Sequence, residues 1–226
     1  MLHELLLERK VFETMSTNSI GAAQGGIVVD TSNFRKHTSD NPVQRTLIDR
    51  FHKKVTGIVS GLQPQTMLDA GCGEGFVASI FFDAMPGVEI TGFDVLEDSV
   101  KLAQVRNPQG TFKVGDIYNI DYPDNSFDVV YCFEVMEHLH EPDRAIAEMA
   151  RVAKRAVVLS VPHEPFFCLA NFARGKNLDQ TPKGSDPDHR NFWSREGFGK
   201  FIEREVDVQL LTGSLPWTIA VGRPRS

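Results

Sequence analysis

Between Asn41 and Gly61 the apolar residues fall at Val43, Leu47, Ile48, Phe51, Val55, Ile58 and Val59, spacings of three and four that lay one stripe along a helix. Asn41 can cap that helix, Pro42 suits its first turn and Gly61 its exit. Beyond it the period changes. The runs 66–70 (TMLDA), 88–94 (VEITGFD), 110–116 (GTFKVGD), 127–133 (FDVVYCF) and 155–162 (RAVVLSVP) are short and rich in apolar residues, as strands buried on both faces are. The first four are followed by candidate helices at 75–84, at 97–106, in a short piece near Tyr118, and at 141–154. Strands alternating with amphipathic helices predict an α/β fold, a parallel sheet covered on both faces.

Two stretches leave this rhythm. Residues 13–40 are rich in Ser, Thr, Asn and Gly, so 1–40 is expected to be a flexible amino-terminal arm and 41–226 a single domain. Residues 162–194 carry Pro, Gly, charges (Arg174, Lys176, Lys183, Arg190) and the aromatic residues Phe166, Phe167, Phe172, Phe192 and Trp193. Long irregular segments in compact α/β domains are commonly lids or binding loops.

Composition narrows the class. The chain of 226 residues is long enough for one large α/β domain, and 41% hydrophobic with 24% charged residues is ordinary globular usage. A net charge of −6 gives no general attraction to phosphate backbones, so nucleic acid is not expected as a partner. No apolar run approaches a membrane span, so no stable membrane insertion is expected, and the start lacks the layout of a secretory signal. The three cysteines, Cys72, Cys132 and Cys168, are an odd number with no CxxC pair. That argues against a disulfide framework and a structural zinc site, for a reducing cytoplasm, and for no bound metal.

The chemistry concentrates around MLDAGCGEGF, residues 67–76. Gly71 and Gly73 permit positive φ and close backbone approach where a strand turns into a helix against a ligand. The dinucleotide fingerprint needs a small residue three positions after its second glycine, and here that position is Phe76. A nicotinamide-dependent dehydrogenase is therefore disfavoured. Asp94 ends the second strand about twenty residues beyond the loop, where an acid can accept from both ribose hydroxyls; it can also cap the helix that follows. Asp116 follows the third strand, where a carboxylate could accept from an adenine amino group, and Ile117 offers an apolar edge; alone, Asp116 is a turn aspartate. EVMEHL places Glu134, Glu137 and His138 just past the fourth strand, at the edge where open α/β sheets bind ligands.

LDAGCGEG, FDVLEDSV, VGDIYNIDYPDNSFDVVYCFEVMEHL and RAVVLSVP, in that order, resemble a class I S-adenosylmethionine-dependent methyltransferase over residues 66–162. KHTSDNPVQRTLIDRFHKKV and the 162–194 segment resemble a bacterial methyltransferase-11/23-like subgroup, whose members often act on lipid, sugar or natural-product acceptors. The resemblance implies a Rossmann-like, doubly wound seven-stranded sheet with the last strand antiparallel, VDVQLLTG and PWTIAVG supplying the sixth and seventh strands. It implies S-adenosylmethionine as cofactor and S-adenosylhomocysteine as product. Asp69, Gly71, Cys72 and Gly73 would surround the methionine half. Asp94 would hold the ribose, Val95 touch the adenine, Asp116 and Ile117 bind its edge, and Phe133 contact the amino-acid part, with His138 shaping the pocket.

A sulfonium methyl already has a neutral thioether as its leaving group, so the protein must chiefly place the nucleophile in line at about 3 Å. A general base matters when the nucleophile is an alcohol or phenol. His163, directly after the fifth strand, and His189, late in the insertion, are the candidates, each with a structural alternative. Phe166, Phe167, Phe192 and Trp193 would line an acceptor pocket, or form a satellite core that folds the insertion down. The expectation is a cytoplasmic monomer or homodimer that methylates a small molecule at oxygen, the acceptor being apolar or aromatic. Transfer to nitrogen or carbon and a catalytically silent S-adenosylmethionine-binding module are the alternatives.

Overall fold

The computed structural model describes residues 23–24, 27–28, 32–173, 175 and 177–225. The chain divides into two compact units, Met1–Thr46 and Leu47–Ser226. In the first, Ala23–Gln24 pairs antiparallel with Ile27–Val28, and Ser32–His37 forms a short helix, α1. Most of the arm expected at 1–40 lies outside the described residues, as do Arg174 and Lys176. Asn41 caps helix α2 (Pro42–Gly61): its Oδ1 accepts from the main-chain nitrogens of Val43 and Gln44 at 3.0 and 3.2 Å.

The larger unit is built on a seven-stranded sheet. Its strands are β1 (Thr66–Ala70), β2 (Glu89–Asp94), β3 (Thr111–Val114), β4 (Phe127–Phe133), β5 (Ala153–Pro162), β6 (Val206–Ser214) and β7 (Trp217–Pro224). They lie in the order β3-β2-β1-β4-β5-β7-β6, with β1 to β5 parallel and β7 antiparallel to both its neighbours. Helices α3 (Phe76–Ala84), α4 (Glu97–Arg106) and α5 (Pro142–Val152) connect the parallel strands; α6 (Phe166–Ala173) and α7 (Arg195–Ile202) lie between β5 and β6. The parallel part is what the sequence pattern predicts, and the doubly wound seven-stranded sheet with its antiparallel last strand is what the family resemblance implies.

Side chains alternate across a strand, and here both faces are covered, which is why the strands read as continuous apolar runs. Leu68, Ala70, Val130, Cys132, Leu159 and Val161 pack with Ile146 and Met149 of α5 and Phe198 and Ile202 of α7. Met67, Val129, Tyr131 and Val158 point the other way, into a second cluster with Phe51 and Val55 of α2 and Phe81 of α3. Phe81 meets Tyr131 edge-on at 4.9 Å between ring centroids.

Besides shifts of one or two residues at the ends of β2, β3 and α3, the structure differs from the sequence reading in two places. The helix expected over 141–154 stops at Val152, because Ala153 already pairs with Phe127 and opens β5. The short piece near Tyr118 is a turn: the Tyr118 nitrogen donates to Asp116 Oδ1 at 2.8 Å, and Asp116 bridges to Asn119. That connection is pinned by Arg151 at the end of α5. Its guanidinium donates to both carboxylate oxygens of Glu148, to Asp124, and to the carbonyls of Ile120 and Tyr122. No described helix is long and apolar enough to cross a membrane.

Arg151→Ala should lower stability by about 1–3 kcal/mol in urea unfolding, because two carbonyls and two carboxylates lose their donor. Removing the exposed Arg225–Asp207 pair should cost under about 1 kcal/mol. Equal effects would show that the Arg151 network does not hold the β3–β4 connection.

Candidate cofactor and acceptor site

The loop after β1 is shaped by the end of β2. The nitrogens of Gly71 and Cys72 both donate to the Phe93 carbonyl at 2.9 Å. The Gly73 nitrogen donates to Asp94 Oδ2 at 2.9 Å, while Asp94 Oδ1 accepts from the Leu96 nitrogen at 3.0 Å. Asp94 thus clamps the loop and turns the chain into α4. Each carboxylate oxygen has a second lone pair, so the residue can still accept two further hydrogen bonds. Burial raises its pKa, opposed by the bonds from Leu96 and Gly73.

Two glycines are required by geometry. Gly71 has φ +87°, and a Cβ there would stand 2.6 Å from Val135 Cγ2. Gly75 has φ +74°, and a Cβ would meet Asn107 Nδ2 at 2.5 Å. The surface of the loop is therefore bare backbone, next to a carboxylate with acceptor capacity to spare. Val95 beside it is 75% exposed and Asp116 is exposed. This arrangement fits a nucleoside whose ribose is held at Asp94 and whose base lies over Val95.

The other predicted cofactor residues are placed less simply. Asp69 is buried and accepts from the Tyr131 hydroxyl at 2.9 Å. Cys72 is buried, its thiol directed at the Gly73 carbonyl at 3.6 Å, and burial pushes its pKa far up, so it stays a thiol. Ile117 belongs to the core cluster, whereas Val95 and Leu96 after β2 are exposed. Phe133 packs edge-on against Phe51 at 5.7 Å.

β4 ends in a bend. Glu134 has φ +60°, uncommon for a residue with a side chain. Its nitrogen donates to the Ser160 carbonyl, and its carboxylate accepts from the Trp217 indole and Ser160 Oγ. The bend presses Val135 onto Gly71 and starts a single 3-10 turn at Met136–His138. His138 Nδ1 is 3.0 Å from the Asp188 carbonyl, and its ring meets that of His189 at 5.0 Å. Phe167 stacks on His189 at 5.3 Å, with Phe192 at 6.3 Å.

The insertion thus brings His138, His189, Phe167 and Phe192 together. It does not group all the aromatic residues: Trp193 packs on Phe198 and Phe201 at 5.4 and 5.1 Å and joins the main core, because α7 follows directly. Phe166 is 51% exposed and lies against the His163 ring. The His163 nitrogen donates to the Pro216 carbonyl at 2.8 Å. Burial and then the charge of Arg195 lower the imidazole pKa, against Glu164, so the ring is neutral at pH 7 and able to take a proton.

Residues 68–161 match a family model described as a methyltransferase domain. Residues 68–161 form a class I S-adenosylmethionine-dependent methyltransferase domain. The chain is 31% identical over 137 residues to norajmaline N-methyltransferase of Rauvolfia serpentina, a match covering 57% of this chain and 42% of the relative. It is 31% identical over 106 residues to demethylmenaquinone methyltransferase of Thermotoga maritima, covering 47% and 46%. The chain spans less than half the length of either relative. Among solved structures, magnesium protoporphyrin IX methyltransferase from Synechocystis with bound S-adenosylhomocysteine superposes with a TM-score of 0.63 at 20% identity, over 86% of this chain and 95% of the other. A methyltransferase from Aquifex aeolicus gives 0.64 at 17% identity, over 87% and 100%. These two likenesses show the fold.

The sequence reading of this methyltransferase domain did not include Tyr131 and Trp217, which hold Asp69 and Glu134. Nothing local marks them. Tyr131 reads as one more strand residue, and Trp217 reaches the end of β4 only because β7 runs back beside β5.

Burial pushes the Asp69 carboxyl from 3.8 up to about 8, opposed by the Tyr131 hydrogen bond and supported by the charge of Asp94. The folded domain therefore keeps this proton at neutral pH while the unfolded chain releases it. The linked stabilisation is complete below the unfolded value and is lost as pH rises through about 8. Asp69→Asn keeps the shape and removes the ionisation. Its melting temperature should change less between about pH 6.5 and 9 than that of the parent chain, which falls. Parallel curves would show that Asp69 is already ionised at neutral pH.

Proposed function

We propose that this chain transfers the methyl group of S-adenosylmethionine to a small-molecule acceptor, at an oxygen atom. The observation that carries the cofactor half is the Asp94 carboxylate, which holds the glycine loop and the start of α4 while keeping two acceptor positions for ribose hydroxyls. The backbone of Gly71 and Gly73 would carry the methionine part, with Cys72 and Asp69 shaping the loop from beneath. Val95 and Asp116 would bound the adenine, and Phe133 and His138 the far side of the pocket.

The acceptor half rests on the insertion. Phe166, Phe167 and Phe192 offer an apolar, aromatic surface near two histidines, which suits an aromatic or lipid-like acceptor better than a highly charged one. In the transfer the carbon–sulfur bond of the sulfonium breaks, an oxygen–methyl bond forms, and the thioether leaves neutral. The hydroxyl proton goes to a base, and His163 is held neutral for that role. Transfer to nitrogen, as the name of the Rauvolfia relative would suggest, needs no such base.

Isothermal titration should show one molecule of S-adenosylmethionine or S-adenosylhomocysteine per chain and no binding of NAD. Asp94→Ala should weaken that binding by about 1–3 kcal/mol; binding of NAD alone, or unchanged affinity in the variant, would sink the assignment. With a panel of phenols, alcohols and amines as acceptors, His163→Ala should lower kcat for a hydroxyl acceptor by about 10²–10⁴ with little change in KM. Methylation of amines alone would redirect the proposal to nitrogen, and cofactor binding with no turnover on any acceptor would favour a silent binding module.

A further inference from the structure

Glu137 and His138 of the 3-10 turn after β4 meet His189 of the insertion at the carboxyl edge of the sheet. One donor atom of each lies within 4.8 Å of those of the other two. Main-chain bonds fix the approach. The Glu137 carbonyl accepts from the nitrogens of Arg190 and Asn191 at 2.8 and 3.0 Å. Asn191 Nδ2 donates back to the carbonyls of Met136 and Leu139 at 3.2 and 2.7 Å. Residues 188–191 are thereby laced onto the 3-10 turn, and the two imidazoles are brought together by the backbone.

The orientation of His138 is equally informative. The Asp188 carbonyl can only accept, so Nδ1 carries the proton and Nε2 keeps its lone pair. A backbone carbonyl on the distal ring nitrogen is the device that sets tautomer and direction in metal-binding histidines. Phe167, stacked on His189, restricts the second ring in the same way. Glu137 is 1% exposed, so its carboxylate stands in a largely dry setting beside both rings.

We propose that Glu137, His138 and His189 bind one divalent first-row cation, Zn²⁺ or Mn²⁺. Two imidazoles and a carboxylate suit these ions, whereas Mg²⁺ and Ca²⁺ take oxygen ligands. Ligand atoms about 2.0–2.2 Å from zinc at tetrahedral angles stand about 3.3–3.6 Å apart, so the cluster closes on an ion by side-chain movements of about 1 Å. Three protein ligands leave open coordination positions, the arrangement of catalytic sites. The absence of a CxxC pair excludes a thiolate site and does not bear on this one. Glu134 is directed elsewhere, onto Trp217 and Ser160.

The role of the ion rests on the methyl-transfer reading above. An open position would take the acceptor hydroxyl and lower its pKa, so that the proton passes to His163 and the oxygen attacks the methyl carbon as the carbon–sulfur bond breaks. His189 is then a ligand, and the base is His163. The acceptor class narrows to molecules whose methylated oxygen can bind a metal, such as phenols or hydroxyls with a neighbouring oxygen.

The test uses the full chain, stripped with a chelator and titrated calorimetrically with ZnCl₂ or MnCl₂, and separately with S-adenosylhomocysteine. One ion per chain is expected, with Glu137→Gln, His138→Ala and His189→Ala each weakening it at least about tenfold. His140→Ala, at an exposed neighbouring histidine, should bind as the parent does. Pulsed electron paramagnetic resonance of the Mn²⁺-loaded parent chain should show nitrogen couplings from imidazole, a readout independent of how the variants fold. The proposal is overturned if a chain that binds S-adenosylhomocysteine binds neither ion, if the three variants bind as the parent does, or if Mn²⁺ shows no nitrogen coupling. Loss of S-adenosylhomocysteine binding with cation binding intact would instead count against the methyl-transfer reading and leave the site standing.

Discussion

The carboxylate of Asp94 ties three parts of the structure together. It ends β2, accepts from Gly73 in the loop after β1, and accepts from Leu96 at the entrance to α4. The Phe93 carbonyl holds the start of the same loop, and Arg106 and Asn107 of the next connection donate to the carbonyls of Glu74 and Gly75 at its end. The glycines then serve a second constraint, the bend at Glu134, which drives Val135 into the space that any larger residue at position 71 would occupy. The glycine loop is thus a contact between the ends of three neighbouring strands, β2, β1 and β4, and each end limits what the next can be.

The same bend sets where the insertion attaches. Trp217 and Ser160 hold the Glu134 side chain, so the chain leaving β4 is aimed at the insertion. The 3-10 turn offers its main-chain carbonyls to Asn191 and to the nitrogens of Arg190 and Asn191. An insertion that reads as irregular in sequence is therefore stitched at its far end to the carboxyl edge of the sheet. Trp193, packed on Phe198 and Phe201, anchors it again just before α7.

How much was legible varies by element. β1 and β4 coincide with the runs read from the pattern, because strands covered on both faces show an uninterrupted apolar signal. α5 ran two residues too far at its end in that reading, since Ala153 and Lys154 suit a helix locally and only the pairing of Ala153 with Phe127 makes them strand. Of the candidate cofactor residues, Asp94 stands at the end of β2 as its position in the strand implied; it binds the Leu96 nitrogen in the turn before α4, while the cap position itself is Leu96. Ile117 was read as an edge for adenine and Trp193 as a pocket wall or part of a satellite core; apolar side chains have no local marker that separates the two, and Ile117 lies in the core while Trp193 packs against it.

By itself the sequence determined what depends on neighbours along the chain: the α/β alternation, the glycine spacing that departs from a dinucleotide fingerprint, and the acid at the end of β2. These follow from periodicity, backbone freedom and position in a strand, all of which are local properties. Only the tertiary structure decided which distant groups share a site. The antiparallel return of β7 puts Trp217 on Glu134, and the bonds from residues 190 and 191 to the 3-10 turn put His189 against His138 and Glu137. Such meetings are set by chain topology and by main-chain hydrogen bonds, which any residue type can make and which therefore leave no mark in the sequence.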